Sequence, residues 1–468
     1  MARQGHPAAE RLRAYLRQLK PGARALLISE LERGLLHDTS PAGAEMVLAE
    51  LRRSLREGSV RITRFDDNAR LFFHPLEPFL VDDGPDHRHR GRIARTTLEP
   101  IWLWINNTLM PEDARAYALL VDAAMLAGDS ERAEHAAHEF HDRVAPRIRQ
   151  LLETATDRDR GRLSVQLGTV RAVDDVKTVC EILSGRDSLA SIGMQLPGHI
   201  DSFGGLILDI VQKQLDDTLG SRSDLLVYAL VLVMERLAAP WQLIRLATKV
   251  AGGGDVKRMA ETPYGAAIDI VIEEVDRRIR ELAGDLKSGR GIAVSALLKE
   301  IHDALRGLRS ELDLSPESSW GHQLAVLHAK IARLLSGEID MMPGRVRRLM
   351  RPRPSKEIAP HSRIDPHEVE ETEALIVFVL TCRKYASELA INEVTQRTVG
   401  ELQHLLDSGT RSLLDALRHA AIHEKMFRLS QVDAAVRFCA KVFGQEYAAL
   451  LAKAAEVASH DEHKAANA

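Results

Sequence analysis

Cysteine is scarce. The chain of 468 residues has three, Cys180, Cys382 and Cys439, odd in number, far apart and without a C-x-x-C pair. This spacing signals neither a disulfide framework nor a thiolate zinc site, and it fits a reducing compartment. Long apolar runs are missing as well. The longest, "LLVYALVLVM" and "ALIVFVL", are too short to span a bilayer, and the opening "MARQGHPAAERLRAYLRQLK" lacks the apolar core of a signal peptide. The expectation is a soluble, cytoplasmic chain with no transmembrane segment. Charge of one sign is absent too: 63 Lys and Arg stand against 67 Asp and Glu, a net of −4. No global field draws in nucleic acid or anionic lipid, so any such binding needs a local patch.

With 45% hydrophobic and 28% charged residues, the composition is that of an ordinary globular protein and excludes wholesale disorder. The length calls for several folding units. Apolar residues recur mostly at helical spacing. Three short helices are expected between Ala8 and Glu57, the third opened by Ser40-Pro41, a cap followed by a preset φ. "SVRITRFDDNARLFF" then alternates like a hairpin, with Asp66-Asp67-Asn68 as its turn and Leu71 to Phe73 opening its second strand.

Beyond this the pattern is helical. Two helices break at Gly128-Asp129, and others are expected over Val170–Leu183, Phe203–Leu219, Ser223–Val250, Pro263–Leu286, Ala293–Leu312 and Gly321–Leu335. "MMPGRVRRLMRPRPSKEIAPHSRIDP" reads as a linker because its prolines block regular structure. Helices over Pro366–Leu389, Asn392–His423 and Ser430–Ser459 follow it. No fixed-period repeat emerges, which favours a bundle over a solenoid.

The fold class expected is therefore mainly α: a multi-domain helical bundle with a small N-terminal three-helix plus β-hairpin module, winged-helix-like in its order of elements. The domains expected are 1–82 for that module, 94–342 for a central helical domain, 343–366 for a basic Pro-rich linker, 367–459 for a C-terminal bundle and 460–468 for a polar tail.

Catalytic and metal chemistry leaves little trace. "EHAAHEFHD" sets His135 and His138 three apart, and "RHAAIHEK" sets His419 and His423 four apart, on one face if helical. Neither has the glutamate where a zinc hydrolase needs it, since Ala420 follows the first histidine of the second pair and Ile422 precedes its partner. "GDLKSGRG" has P-loop glycine spacing, but Arg290-Gly291 stands where lysine and a hydroxyl are needed; "AGGGDVKR" reads as a turn. "PGHIDSFGG" half resembles a nucleophile elbow around Ser202, with Ile200 where glycine is required. In "DHRHRGR", His87 and His89 sit among arginines that repel a metal ion. No cofactor, metal or catalytic residue is assigned.

Cations are the remaining signal. Arg52, Arg53 and Arg56 share the outer face of the third helix, and Arg345, Arg347, Arg348, Arg351, Arg353 and Lys356 crowd the linker. These arginines are the candidate contacts to a partner or to phosphate. The functional expectation is a scaffold or regulatory protein acting through protein–protein contact or self-association. The alternatives are a nucleic-acid-binding regulator using the N-terminal module and the basic linker, and an enzyme whose histidine–carboxylate site converges only in space.

Overall fold

In the computed structural model the residues described are Val47 and 67–460, other than 85, 88, 89, 221, 289, 290, 360 and 361. The chain is mainly α-helical, with two very short strands among the described residues. It divides into two compact units by its contacts, one formed by 1–74 with 101–143 and the other by 75–100 with 144–468.

In the first unit, helix α1 (Asp67–Phe73) packs on α3 (Pro111–Ala127). Helix α2 (Leu98–Trp104) runs into a π-helical turn, Ile105–Leu109, and α4 (Ser130–Thr154) follows α3 across Gly128, whose φ of 69° ends that helix. Aromatic rings make the core. Phe72 lies 5.2 Å from Trp102 and 5.3 Å from Phe140, Tyr117 stacks on Phe140 at 4.8 Å, and the Tyr117 hydroxyl donates to the Asn68 carbonyl at 2.8 Å. Trp102 and Trp104 are buried as well.

Here the hairpin expectation meets a correction. Leu71, Phe72 and Phe73 are helical, not a strand, because Ala69, Phe72, Phe73 and Leu76 bury one face at helical spacing. Residues 59–66, the three helices expected before them, and Arg52, Arg53 and Arg56 lie outside the described residues.

The second unit begins with a 3₁₀ turn ending at Phe79 and the parallel pair β1 (Leu80–Val81) and β2 (Ile93–Ala94), in register Leu80 to Ile93. Helices α5 (Asp157–Leu167), α6 (Ala172–Gln195), α7 (Gly205–Leu219) and α8 (Leu226–Arg236) follow, with α6 packed on the other three. Thr156 and Asp159 form a reciprocal capping box that starts α5. Helix α9 (Ile244–Ala251) and the short α10 (Val256–Ala260) lead to α11 (Ala266–Ser288), which packs on α9, α12 (Gly291–Glu311) and α13 (Ser319–Met350).

The helix expected over Ser223–Val250 is broken between Leu237 and Leu243. Pro240 donates no hydrogen bond and holds Ala239 extended, and Ile200 pairs with Leu237 in an isolated parallel bridge. The helix expected to stop at Leu335 instead runs to Met350 through the buried Pro343, so 343–350 are helical turns and irregular chain begins at Arg351.

Helices α14 (Pro366–Lys384), α15 (Asn392–Arg418) and α16 (Lys425–Val442) pack on α13, and α17 (Gln445–His460) packs on α15 and α16. Asp365 caps α14 with Pro366 in the first turn. The stretch expected as one helix over Ser430–Ser459 is two, divided at Gly444, whose φ of 95° no helix accommodates.

Candidate functional site

The segment from Asp83 to Arg95 is tied down by ion pairs to α11. The Arg90 amide donates to Glu273 Oε2 at 2.5 Å and its guanidinium pairs with Asp269; Asp83 accepts from Arg280 at 2.6 Å; Arg92 pairs with Glu235 at the end of α8. Gly91 lies between the two arginines at φ 70°, and a Cβ there would fall 2.8 Å from the Val227 side chain. Only glycine lets this segment press so closely on α8.

Below it lies a cleft of about 270 Å³. Its walls are Arg92, the 237–241 segment with Trp241, Glu274 and Arg278 of α11, and Glu300 and Asp303 of α12. Glu274 is buried. Burial alone would raise its pKa, but the Arg277 hydrogen bond and the charges of Arg277, Arg92 and Arg278 outweigh that and hold it below the ordinary carboxylate value. Arg277 bonds it at 2.5 Å and Arg278 at 3.1 Å. A carboxylate kept ionised by three guanidiniums is a poor proton carrier and a good anchor.

Asp175, in the first turn of α6, is the opposite case. Burial raises its pKa to about 7, with Arg171 lowering it and Asp174 raising it. The three thiols are unpaired and buried. Burial pushes Cys382 and Cys439 up to about 12 and also raises Cys180, so none is primed as a nucleophile near neutral pH.

The histidine pairs do not assemble a site. His135 pairs with Glu139 on an exposed face, and the ring of His138 lies 6.0 Å from that of the buried His141, whose Nε2 meets the Phe72 carbonyl at 2.7 Å. His419 and His423 are not on one helix face, because α15 ends at Arg418; His419 Nδ1 meets the Asp415 carbonyl at 2.8 Å and His423 stands in the turn before α16. Among the described residues no group of three potential metal ligands gathers. Ser202 sits in an exposed turn behind the Ile200 bridge, and His199 meets Asp201 at 3.1 Å. His87 lies 3.8 Å from Asp83; His89 is outside the described residues.

The linker arginines do come together. Arg347, Arg348, Arg351 and Arg353 line a second cleft, of about 340 Å³, with Gly344 and Glu357. Arg347 holds Glu401 at 2.7 Å, Arg348 holds Glu368 at 3.1 Å, and Arg345, outside the cleft lining, holds Glu371 at 3.5 Å. Arg353 lies over the Phe427 ring at 5.1 Å. The cleft around Glu274 was not legible in the sequence, since its acids and arginines come from segments separated by about two hundred residues; of the arginine cleft only the run of cations was legible, not the helix end that carries part of it.

A third feature is a face. From Ala116 to the end of α3 the charged residue is Asp122 alone, and while Tyr117, Val121 and Ala124 point inward, Ala116, Leu119, Leu120, Ala123, Leu126 and Ala127 form an exposed stripe on the opposite side. Leu119 is 72% exposed and Leu126 90%. A helix apolar all round is ordinarily covered all round.

No family model, curated protein or solved structure matches the chain. No helix among the described residues is long and apolar enough to cross a membrane.

Proposed function

We propose that this chain is a cytoplasmic helical scaffold or regulatory protein that works through protein–protein contact, and that the outward face of α3 is where it meets a second copy of itself. The observation that carries this reading is the apolar stripe Ala116–Leu119–Leu120–Ala123–Leu126–Ala127. Its order of small and large residues is self-complementary. An antiparallel two-fold axis near residue 121 sets Leu126 against Ala116 and Leu119 against Ala123, each large side chain over a small one. A pair of helices this long buries on the order of 1,000 Å², the size of a weak and reversible interface.

The alternative reading, a nucleic-acid-binding regulator with a winged-helix-like N-terminal module, draws on Arg52, Arg53 and Arg56. On the linker it would lay a duplex over a face where Glu371, Glu401 and Glu368 stand beside Arg345, Arg347 and Arg348.

Sedimentation of the full chain tests the proposal. The wild type is expected to be in monomer–dimer exchange with a Kd of about 10 µM, and Leu126→Glu or Leu119→Glu, at positions exposed in the monomer, is expected to abolish the dimer with an unchanged circular dichroism spectrum. A wild type that stays monomeric at several hundred micromolar, or a dimer indifferent to both changes, overturns it.

A further inference from the structure

We infer that the arginine cleft beyond the end of α13 is a binding site for a small phosphate-bearing anion of the diphosphate type. Four arginines, Arg347, Arg348, Arg351 and Arg353, line one cavity of about 340 Å³ with a single acidic residue, Glu357. Guanidinium forks match phosphate oxygens two at a time, which is why arginine clusters recognise phosphate so effectively.

The backbone beneath them is held in place. A helix end leaves carbonyls without partners and a partial negative charge that opposes anions. Here Gln431 donates to the Leu349 and Arg351 carbonyls at 3.1 and 3.0 Å, and Arg428 donates to the Arg353 carbonyl at 2.6 Å. Both side chains are buried on α16, and Glu424 bonds Arg428 in turn at 3.4 Å. One last-turn carbonyl, that of Leu349, and the Arg351 and Arg353 carbonyls beyond it are thus occupied by buried side chains, which hold the segment carrying the arginines before any ligand arrives.

The four guanidiniums are also available. Arg351 and Arg353 are exposed and, among the described residues, in no ion pair. Arg347 and Arg348 pair with Glu401 and Glu368, but the arginine side chains are 59% and 62% exposed. Ion pairs this exposed contribute little, roughly 0–1 kcal/mol each, so a dianion can recruit these guanidiniums.

The acids of the surround select the size of the ligand. Glu368, Glu371 and Glu401 flank the cleft through their arginine partners. A duplex laid across this surface would set its phosphates against those carboxylates, whereas a small anion enters the cleft and avoids them.

Titration calorimetry of the full chain with inorganic pyrophosphate in low-salt buffer tests the site. The expected result is saturable 1:1 binding with a Kd below about 1 mM, weakened about tenfold or more by Arg351→Ala and again by Arg353→Ala, and unaffected by Arg411→Ala on the exposed face of α15. Since Arg353 also packs on Phe427, Arg351→Ala, exposed and without that contact, separates loss of binding from loss of fold. No saturable binding by the wild type, or equal binding by wild type and Arg351→Ala, overturns the inference. Duplex DNA binding that is tighter than pyrophosphate binding and falls with the same two variants overturns the small-anion assignment in favour of a nucleic-acid backbone.

Discussion

Two buried carboxylates give this fold opposite responses to acid. Asp175, with its pKa raised from 3.8 to about 7, holds its proton more tightly in the folded chain than in the unfolded one. Its contribution is complete below the ordinary carboxylate value and is lost as pH rises toward 7. Asp175→Asn, which keeps the shape without titrating, is expected to raise the melting temperature near pH 8, by an amount equivalent to about 2 kcal/mol, and to change it little near pH 4. Glu274 runs the other way. Its pKa is depressed once the Arg277, Arg92 and Arg278 contributions exceed the burial cost, so its stabilisation is present above the ordinary carboxylate range and lost as pH falls through the depressed value. Glu274→Gln leaves Arg277 and Arg278 without the charge they share and is expected to cost about 3 kcal/mol in denaturant unfolding at neutral pH; a change within 0.5 kcal/mol would show that the arginines have other sufficient partners.

At the level of elements, the join between the 237–243 segment and α12 is closely packed beside the Glu274 cleft. A Cβ at Gly307 would fall 2.4 Å from the Trp241 ring, over which the Arg245 guanidinium lies at 5.1 Å. The half-buried indole has to shift to admit a methyl group there. Gly307→Ala is expected to destabilise by about 2 kcal/mol, despite alanine's better helix propensity, and to shift tryptophan fluorescence; an unchanged melting temperature would mean that the ring can move. The same segment explains what the sequence could and could not reveal. The start of α14 at Pro366 was legible because its cap and proline are local chemistry, whereas α5, short and rich in charge, was not expected at all. Proline was the less reliable guide: Pro240 breaks a helix whereas Pro343 is absorbed within one, because Ile339, Met342, Pro343 and Val346 bury a continuous face that compensates for the missing donor. Leu71 to Phe73 misled in the same way. An apolar run that short has no period of its own, and its partners Trp102, Tyr117 and Phe140 are distant in sequence.

On the scale of the molecule, the candidate surfaces follow from what each unit leaves uncovered. The second unit turns its charges on one another, so that Arg90, Arg92 and Arg280 serve as ties, and where α13 ends Arg351 and Arg353 stand beside the exposed pairs of Arg347 and Arg348. The first unit is built on a small aromatic core and leaves the opposite side of α3 apolar. That asymmetry could not be read from the sequence, where Leu119 and Val121 look alike; which of them faces the core depends on Phe72 and Phe140.

Cysteine trapping tests the proposed contact directly. Ala116 and Leu126 are too far apart along one helix to join within a chain, yet they face each other across the two-fold contact, and the native thiols are all buried. The Ala116→Cys/Leu126→Cys double variant, mildly oxidised and run on a non-reducing gel, is expected to form a covalent dimer, while each single variant remains largely monomeric. A double variant that gives no dimer, or single variants that crosslink as readily, would contradict self-association through α3.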